Sequence, residues 1–245
     1  MELLAVCHVH SEWSFDAKWP LTELATQFSR RGARVLMMSE HDRGFTASRW
    51  QEYRRACAAA SSKNLLVVPG MEYSDAENRV HVLVWGPVPF LGEGLPTEEM
   101  LVRVKDACGV AVLAHPARKQ AWQAFQPEWA GTLLGIELWN RKYDGWAPSE
   151  SSPRLLREAN FVPFVGLDFH TERQMFSLAM ALEINGSVTE NAVLECLRQR
   201  RCSPRAFGSP LSRKLLRRAL PALRIAERGR RTAARLARRA GVVSL

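Results

Sequence analysis

The sequence predicts a mainly parallel α/β fold in the form of a barrel, followed by a basic and largely helical C-terminal extension. Over the first 200 residues, short apolar or β-branched runs alternate with helical patterns, as is typical of successive strand–helix units. Seven or eight such runs can be counted, and a parallel sheet of about this many strands commonly closes into a barrel. A chain of 245 residues with 47% hydrophobic content is also long enough to bury one large core.

The predicted strands are short apolar runs that include many β-branched residues. In chain order they are Leu3–His8, Val35–Ser39, Leu65–Pro69, Val80–Trp85, Val110–His115, Gly135–Asn140 and Val162–Asp168, with a later run at Ser177–Ile184.

The predicted helices lie between these strands, and the first has the clearest pattern. Pro20 starts it, and apolar side chains follow at i, i+3, i+4 and i+7 from Leu21 to Phe28, before Gly32 ends the pattern. A proline start and this spacing favour an amphipathic helix. Further helical patterns lie near Thr46–Ala60, Thr97–Cys108, Ser152–Glu158 and Thr189–Arg200.

The last part of the chain differs from the rest in pattern and in charge. Pro204 and Pro210 interrupt the strand–helix alternation, and Pro221 predicts a kink or a break in the helix that follows. That helix carries a stripe of leucines at 211, 215, 216, 220 and 223. We therefore divide the chain into residues 1–200, the main domain, and residues 201–245, the extension.

Residues 198–245 hold 15 of the 34 Lys and Arg residues but only one acid, Glu227, so this segment carries a charge of +14 and the rest −5. Three interpretations of the extension remain open. It is a solvated basic helix packed on the main domain by its leucines, a nucleic-acid contact whose binding would fall steeply with salt, or a helix lying on an acidic membrane surface.

Composition also narrows the class of protein. No apolar run approaches the ~18 residues that a membrane span requires, and the N-terminus has no basic segment before an apolar one. We therefore expect a cytoplasmic protein without a transmembrane segment. The cysteines are expected to be reduced thiols, because they are scattered and form no C-x-x-C pair. They are Cys7, Cys57, Cys108, Cys196 and Cys202.

All six histidines lie at or next to the end of a predicted strand. In barrel enzymes the catalytic groups come from the carboxyl ends of strands, and only His81, which opens its strand, departs from this rule. A single histidine at a strand end is usually a satisfied polar residue, but six of six are hard to explain in that way. They are His8, His10, His41, His81, His115 and His170.

Carboxylates accompany four of these positions. A mixed set of imidazole and carboxylate groups suits zinc, manganese or iron, whereas magnesium prefers oxygen ligands alone. The pattern therefore predicts metal binding. A serine–histidine–acid triad within residues 39–42 is excluded, because neighbours on an extended segment point to opposite faces. The carboxylates are Asp16, Asp42, Glu72 and Asp168.

Spacing gives a geometric reason for the same conclusion. Residues two apart in a strand point to the same face. His8 and His10 can therefore face one ion, and so can Asp168 and His170. Two such pairs on separate strands can supply four ligands to neighbouring ions.

Six motifs in this order resemble the PHP (polymerase and histidinol phosphatase) domain, which occurs in histidinol phosphatases, bacterial replicative polymerases and stand-alone phosphoesterases. The resemblance covers roughly residues 3–185 and excludes the extension. Relatives have histidine or aspartate at the position of Asp16, and many have Thr-Asp where this chain has Ser39-Glu40. The motifs are His8-Val-His10-Ser-Glu-Trp-Ser-Phe-Asp16, Ser39-Glu-His41-Asp42, Pro69-Gly-Met-Glu72, Val80-His81-Val-Leu, Ala114-His115-Pro116 and Gly166-Leu-Asp168-Phe-His170.

The resemblance implies a distorted seven-stranded (β/α) barrel that holds three divalent ions, of zinc, manganese or iron. Paired ions ~3.5–4 Å apart would activate a bridging hydroxide for attack on phosphorus, with Glu72 as the bridging carboxylate. The implied ligands are His8, His10, Glu72 and Asp168 for the first site; Glu72, His81 and His115 for the second; and Asp16, His41 and His170 for the third.

Cations and aromatic side chains near these motifs suggest how a substrate is recognised. Arg43 follows the His41-Asp42 pair, and Arg118 and Lys119 follow His115-Pro116, so we expect their loops to open on the same mouth and bind phosphate. Exposed basic side chains on loops are the alternative. Asn140 is a candidate either to orient substrate or to cap a loop, and Trp13 and Trp139 either stack on substrate or pack against the barrel.

The leading hypothesis is a metal-dependent phosphoesterase that hydrolyses a phosphomonoester, a nucleotide or a short oligonucleotide, with Glu72, Arg43 and Arg118 as its catalytic residues. The alternative is a nucleic-acid-associated scaffold that binds through its basic extension. Retention of all nine implied ligands favours the enzyme, since a scaffold could lose some of them without penalty.

Overall fold

The computed structural model describes residues 2–149, 155–156, 160–211 and 213–239, and these contain twelve strands. The strands are β1 (Glu2–Val9), β2 (Val35–Met38), β3 (Glu40–His41), β4 (Leu66–Val68), β5 (Gly70–Ser74), β6 (His81–Trp85), β7 (Val110–Leu113), β8 (Leu133–Asn140), β9 (Val162–Gly166), β10 (Leu178–Glu183), β11 (Cys202–Ala206) and β12 (Ser209–Pro210).

The helices follow the predicted pattern closely. Most of the predicted helix Ser152–Glu158 lies outside the described residues. The α-helices of four or more residues are α1 (Leu21–Arg30), α2 (Ala47–Ala60), α3 (Thr97–Asp106), α4 (Arg141–Asp144), α5 (Glu190–Arg198) and α6 (Arg213–Arg239).

The strands form two mixed six-stranded sheets. The first has the order β12-β11-β10-β1-β2-β4, and the second has the order β3-β5-β6-β7-β8-β9. In the first sheet β1, β2 and β4 are parallel, while β10 runs antiparallel to β1. In the second sheet β7, β8 and β9 are parallel, while β6 runs antiparallel to both of its neighbours.

The prediction of an α/β fold with a C-terminal helix is therefore confirmed, but the closed (β/α) barrel is not, since the described residues form two mixed sheets. Pro69 separates β4 from β5, and it has no N–H to contribute to a continuous ladder. Residues 75–80 then join β5 to β6, and this connection is too short for the dozen or so residues of a parallel crossover. The chain consequently forms an antiparallel hairpin of β5 and β6 within a sheet that the sequence pattern predicted to be mainly parallel.

Backbone hydrogen bonds join the two sheets beside the ends of β1 and β9. The Leu167 N–H donates to the Cys7 carbonyl at 3.1 Å, and the Phe169 N–H donates to the His8 carbonyl at 3.1 Å. The His10 N–H returns a bond of 3.0 Å to the Phe169 carbonyl. The histidine motif at the start of the chain is thus held against the Asp168 motif near residue 170.

Helix α1 shows how the predicted apolar stripe forms the core. Its residues Leu21, Leu24, Ala25 and Phe28 are buried, as their spacing predicted. The Phe28 ring lies 5.6 Å from that of Phe169, edge to face. This packing supports the segment that carries Asp168 and His170.

The extension begins as part of the first sheet and continues as a helix. Strand β11 pairs antiparallel with β10, and β12 pairs with β11, so Pro204 and Pro210 lie within strands and not in a linker. Pro221 lies inside α6 and does not divide it. The side chains of Leu215 and Leu216 lie outside the described residues. Among the described helices, none is long and apolar enough to cross a membrane.

Candidate metal centre

The six histidines converge between the two sheets, together with Asp16, Glu72 and Asp168. The ring centroid of His10 lies 4.4 Å from that of His41 and 4.2 Å from that of His170. The centroids of His81 and His115 are 4.9 Å apart. Strand ends and the loops after them therefore bring together residues that are up to 162 positions apart in the sequence.

Glu72 on β5 lies at the centre of this cluster, almost fully buried. Its Oε1 is 2.8 Å from His81 Nδ1 and 2.7 Å from His115 Nε2. Its Oε2 is 3.1 Å from His41 Nδ1. Burial opposes ionisation of Glu72, but the surrounding imidazoles outweigh that effect and hold its pKa well below the usual range. The carboxylate is therefore ionised and faces several nitrogens at once, as a bridging ligand must.

Four buried atoms within the cluster have no hydrogen-bond partner among the described residues. His115 Nδ1 is one, and the other three face one another: His8 Nε2, His10 Nε2 and Glu72 Oε2. Both imidazole nitrogens lie 3.4 Å from this carboxylate oxygen. Buried polar atoms are costly to leave unpaired. A cation coordinated by all three atoms would remove this cost, so the donor set fits a metal ion.

Two further carboxylates complete the donor set. Asp168 Oδ1 lies 3.6 Å from His10 Nε2 and 3.3 Å from His170 Nδ1. Asp16 Oδ2 lies 3.4 Å from His41 Nε2 and 3.1 Å from His170 Nε2. The partly exposed Asp16 thus sits between two imidazoles at the edge of the cluster.

Three trios of residues each place their donor atoms within 4.8 Å of one another. These trios contain seven of the nine residues expected from the sequence. The other two join the cluster through separate contacts, Asp16 with His41 and His170, and His81 with Glu72. The distribution of the nine residues over three ions remains a proposal. The trios are His10, His41 and His170; His8, Glu72 and His115; and His8, His10 and Asp168.

Glu137 contacts two histidines of the cluster, and the sequence analysis did not predict this role. It lies on β8 and is almost fully buried. Its Oε1 is 2.8 Å from His8 Nδ1, and its Oε2 accepts the His115 N–H at 2.7 Å. A proton on His8 Nδ1 leaves the lone pair of Nε2 directed into the cluster. In the sequence, Glu137 is the one carboxylate within the apolar run Gly135–Asn140, and this feature could have identified it as a functional candidate.

Burial opposes protonation of His8, yet the carboxylates of Glu137, Asp168 and Glu72 outweigh it and raise its pKa, so a cation that binds at Nε2 would displace a proton from that nitrogen. His10 differs, because burial comes first and the neighbouring imidazoles act with it to lower its pKa well below the usual range. A neutral His10 is the form that can coordinate a cation.

Ser14 orients His10 and connects it to Glu40. The Ser14 Oγ lies 3.2 Å from His10 Nδ1 and donates to Glu40 Oε2 at 2.5 Å. Burial raises the pKa of Glu40 to about 7, although hydrogen bonds from Ser11 and Ser14 oppose this. Glu40, in the segment where many PHP relatives have Thr-Asp, therefore binds the loop that carries His10 and Asp16.

Three residues of the cluster adopt left-handed backbone conformations. The φ angles are 59° at His8, 23° at His115 and 49° at Asp168. Such values are uncommon for residues other than glycine, and they concentrate at functional sites. The backbone thus turns sharply at three of the residues that form the cluster.

A cavity of about 520 Å³ opens above the cluster, and Arg43, Arg118 and Lys142 line it. Arg118 donates from Nε to the Tyr143 hydroxyl at 3.0 Å. Lys119 instead donates to the Asn78 carbonyl at 2.8 Å and does not line this cavity. Cations beside the cluster are what phosphate recognition requires.

Lys142 on α4 was not predicted. Its Nζ is 3.2 Å from Asp168 Oδ1 and 3.2 Å from His170 Nε2. Burial opposes its charge, but Asp168 outweighs this and raises the pKa of Lys142. It is an ammonium that faces the cavity. No spacing pattern in the sequence identifies Lys142, because its position at the cavity depends on the turn of α4.

Asn140 and the two tryptophans have structural roles. The Asn140 side chain is buried and accepts the backbone N–H of Lys142 and Tyr143, so it caps α4. Trp139 is fully buried and donates to the Gly145 carbonyl at 3.0 Å. Trp13 packs near Tyr53, with 5.5 Å between ring centroids. The aromatic residue of the first motif that lines the cavity is Phe15.

Comparison with solved structures identifies the fold. One match is a two-domain protein from Bacteroides vulgatus described as containing a predicted PHP-like metal-dependent phosphoesterase, with a TM-score of 0.65, 17% identity, and coverage of 89% of this chain and 68% of that one. PsfC from Pseudomonas syringae matches with a TM-score of 0.60 and 15% identity, covering 95% of this chain and 99% of that one.

The lesion-specific endonuclease PfuEndoQ from Pyrococcus furiosus matches with a TM-score of 0.57 and 13% identity, over 81% of this chain and 56% of that one. The chain therefore spans little more than half of the endonuclease. No protein-family model and no curated protein matches the chain. At these identities the similarity confirms the PHP-like resemblance at the level of the fold.

Proposed function

We propose that this protein is a metal-dependent phosphoesterase of the PHP type, acting on a phosphomonoester, a nucleotide or a short oligonucleotide. One observation carries the proposal: nine histidine and carboxylate side chains form one cluster, and six of them line a cavity together with Arg43, Arg118 and Lys142. Carboxylates and imidazoles hold cations, and the basic side chains hold an anion. Hydrolysis of a phosphate ester needs both groups side by side.

We propose that these donors hold three ions in the arrangement that the sequence resemblance implied, with Glu72 shared between two of them. The prevalence of imidazole favours zinc, manganese or iron over magnesium. Divalent ions held here would lower the pKa of a water molecule and neutralise charge on the phosphoryl oxygens. No side-chain nucleophile is required for this chemistry.

The remaining side chains orient the ligands and the substrate. Glu137 and Ser14 hold His8 and His10 through their Nδ1 atoms, so that both Nε2 atoms face Glu72. Lys142 lies next to Asp168, which places its charge where a phosphoryl oxygen would approach the cluster. Arg43 and Arg118 supply further donors along the cavity wall.

A nucleic-acid-binding role through the extension is the second candidate. Helix α6 exposes Arg228 and Arg235 to solvent, and one structural neighbour is an endonuclease. Basic side chains along a helix can contact phosphates. This candidate is compatible with hydrolysis, and it differs in predicting that affinity for an oligonucleotide depends on the extension.

Metal analysis of the purified protein, combined with a panel of phosphomonoesters and phosphodiesters that includes nucleotides, tests the proposal. We expect bound zinc, manganese or iron, hydrolysis of at least one ester, and loss of activity on chelation with recovery on adding metal. Protein that binds no divalent metal, or whose hydrolysis persists after complete chelation, would contradict it.

A further inference from the structure

Phe15 is a large aromatic side chain that the fold leaves exposed at the mouth of the cavity. The residue is 60% exposed, more than Phe207 at 54% or Trp146 at 38%. It lines the same cavity as the cluster and directly precedes Asp16 in the chain. An apolar ring left in water beside a polar site is a surface that a ligand can cover.

Arg43 lies over the Phe15 ring and lines the same cavity. Its guanidinium carbon lies 5.0 Å from the Phe15 ring centroid. The ring centroid of His41 lies 5.2 Å from that of Phe15, and the two ring planes are inclined at 35°. A cation over an aromatic face is held there by the ring quadrupole. Phenyl and guanidinium planes are the groups on which proteins stack nucleobases.

The position of this pair matches the geometry of a phosphate ester. Phe15 directly precedes Asp16, which belongs to the cluster of histidines and carboxylates. Arg118 and Lys142 line the same cavity. A phosphoryl group bound between the cations and the cluster would leave the rest of its ester inside the cavity, within reach of Phe15. A volume of about 520 Å³ falls in the range of small-molecule sites, roughly 300–1,000 Å³.

We propose that Phe15 and Arg43 form a stacking surface for an aromatic base, and that the substrate is a nucleotide and not an aliphatic sugar phosphate. This inference rests on the proposed function. A sugar phosphate would satisfy the cations but leave the exposed phenyl ring uncovered. A base adds a planar group of matching shape and polarisability.

The test compares two substrates that differ only by the base, adenosine 5′-monophosphate and ribose 5-phosphate. We expect kcat/KM to favour the nucleotide by about tenfold, the effect of one stacked base. Phe15→Leu should bring this ratio towards one, and Phe15→Trp should maintain or increase it. Phe207→Leu, which removes an exposed phenyl ring outside the cavity, should leave the ratio unchanged. A 5′-phosphorylated trinucleotide assayed alongside distinguishes a free nucleotide from the end of a strand.

Equal kcat/KM values for the two compounds in the wild type, or a ratio that Phe15→Leu does not change, would overturn the inference. Equilibrium binding of the same compounds to metal-loaded protein separates it from the proposed function. If the nucleotide binds more tightly, if this preference depends on Phe15, and if neither compound is hydrolysed, the phosphoesterase proposal is contradicted and the stacking surface is supported. Equal affinities would exclude the stacking surface whether or not either compound is hydrolysed. Thermal unfolding of Phe15→Leu checks that the fold is retained.

Discussion

Glu72 is the residue with the most contacts to the predicted ligands, since each of its oxygens faces imidazole nitrogens. We expect Glu72→Gln to keep the fold and to abolish turnover, because a neutral amide cannot bridge two cations. The loss of kcat should exceed the roughly 10–100-fold typical of residues that only orient ligands. Steady-state kinetics on an ester identified in the panel measures it.

The matched control is Glu52→Gln, the same chemical change at an exposed position on α2. It should retain wild-type turnover. If Glu72→Gln also retained wild-type turnover, the mechanism with two bridged ions would have to be abandoned.

Gly166 allows Glu137 and His8 to approach each other. A Cβ at this position would collide with the Glu137 carboxylate and would lie 2.8 Å from the Cβ of His8. We expect Gly166→Ala to displace the carboxylate that orients His8 and to lower metal affinity by roughly 10–100-fold. Titration of the metal-free protein with zinc or manganese measures the change.

Gly131→Ala is the control, because nothing lies within 4 Å of the Cβ it would add. It should bind metal as the wild type does. Unchanged affinity in Gly166→Ala would show that Glu137 does not set the orientation of His8.

Asp144 gives a prediction about pH. Burial raises its pKa to about 7, although the Asn140 N–H opposes this, whereas an unfolded chain titrates near about 4. The native state therefore keeps a proton that the unfolded chain loses, so the contribution to stability is present below about pH 4 and is lost as pH rises through 7.

Asp144→Asn stays neutral at every pH. Its free energy of unfolding should increase relative to the wild type by roughly 1–3 kcal/mol between about pH 5 and about pH 8, measured by urea unfolding. Asp106→Asn, at an exposed position, should show no such trend. A difference between Asp144→Asn and wild type that does not vary with pH would refute the assignment.

At the scale of elements, α6 is anchored to the main domain by its one acid. Glu227 is 5% exposed and accepts the Trp146 N–H at 3.1 Å. It also accepts from Arg230 Nε at 2.7 Å, and Arg231 donates to the Tyr143 carbonyl at 3.1 Å. The helix thus contacts the turn that begins with α4 and positions Lys142 in the cavity.

We expect Glu227→Ala to loosen α6, because it removes the acceptor for Trp146 and for two arginines. Limited proteolysis with trypsin should cleave within α6 faster than in the wild type, and stability should fall by about 1–3 kcal/mol. If α4 loses its support, KM for the ester should rise with little change in metal content. Arg235→Ala, at an exposed position on the same helix, provides the comparison. Wild-type cleavage rates in Glu227→Ala would mean that this contact does not hold the helix.

At the scale of the whole molecule, the cluster joins both sheets, because His8 comes from β1 and Glu72 from β5. A cation shared by such residues binds the native state and stabilises it by about 2.7 kcal/mol at one hundred times its dissociation constant. We expect chelation to lower Tm and added zinc or manganese to restore it, as measured by differential scanning calorimetry. In His10→Ala this response should be weaker. If no divalent metal changes Tm, the cluster does not form a metal site that stabilises the native state.

The helices could be predicted because each rests on local periodicity. The stripe from Leu21 to Phe28 specifies both the length and the buried face of α1. Most strands were also placed to within about two residues. The pairing of the strands was not predicted, because contacts between residues far apart in the sequence determine which strands are neighbours. The antiparallel β5–β6 hairpin depends on the short connection at 75–80, and β11 depends on an edge that β10 leaves open.

The sequence by itself determined that histidines and carboxylates form a cluster, because such groups at strand ends have few structural uses in such numbers, and the resemblance of its motifs to the PHP domain implied which nine residues belong to it. All nine predicted residues meet in the structure. Only the tertiary structure decided what surrounds them. Glu137, Lys142 and Phe15 belong to no spacing pattern, and their roles arise from the close approach of β8, the turn of α4 and the exposure of one loop. Side-chain environment depends on packing between distant segments, which the local order of residues does not specify.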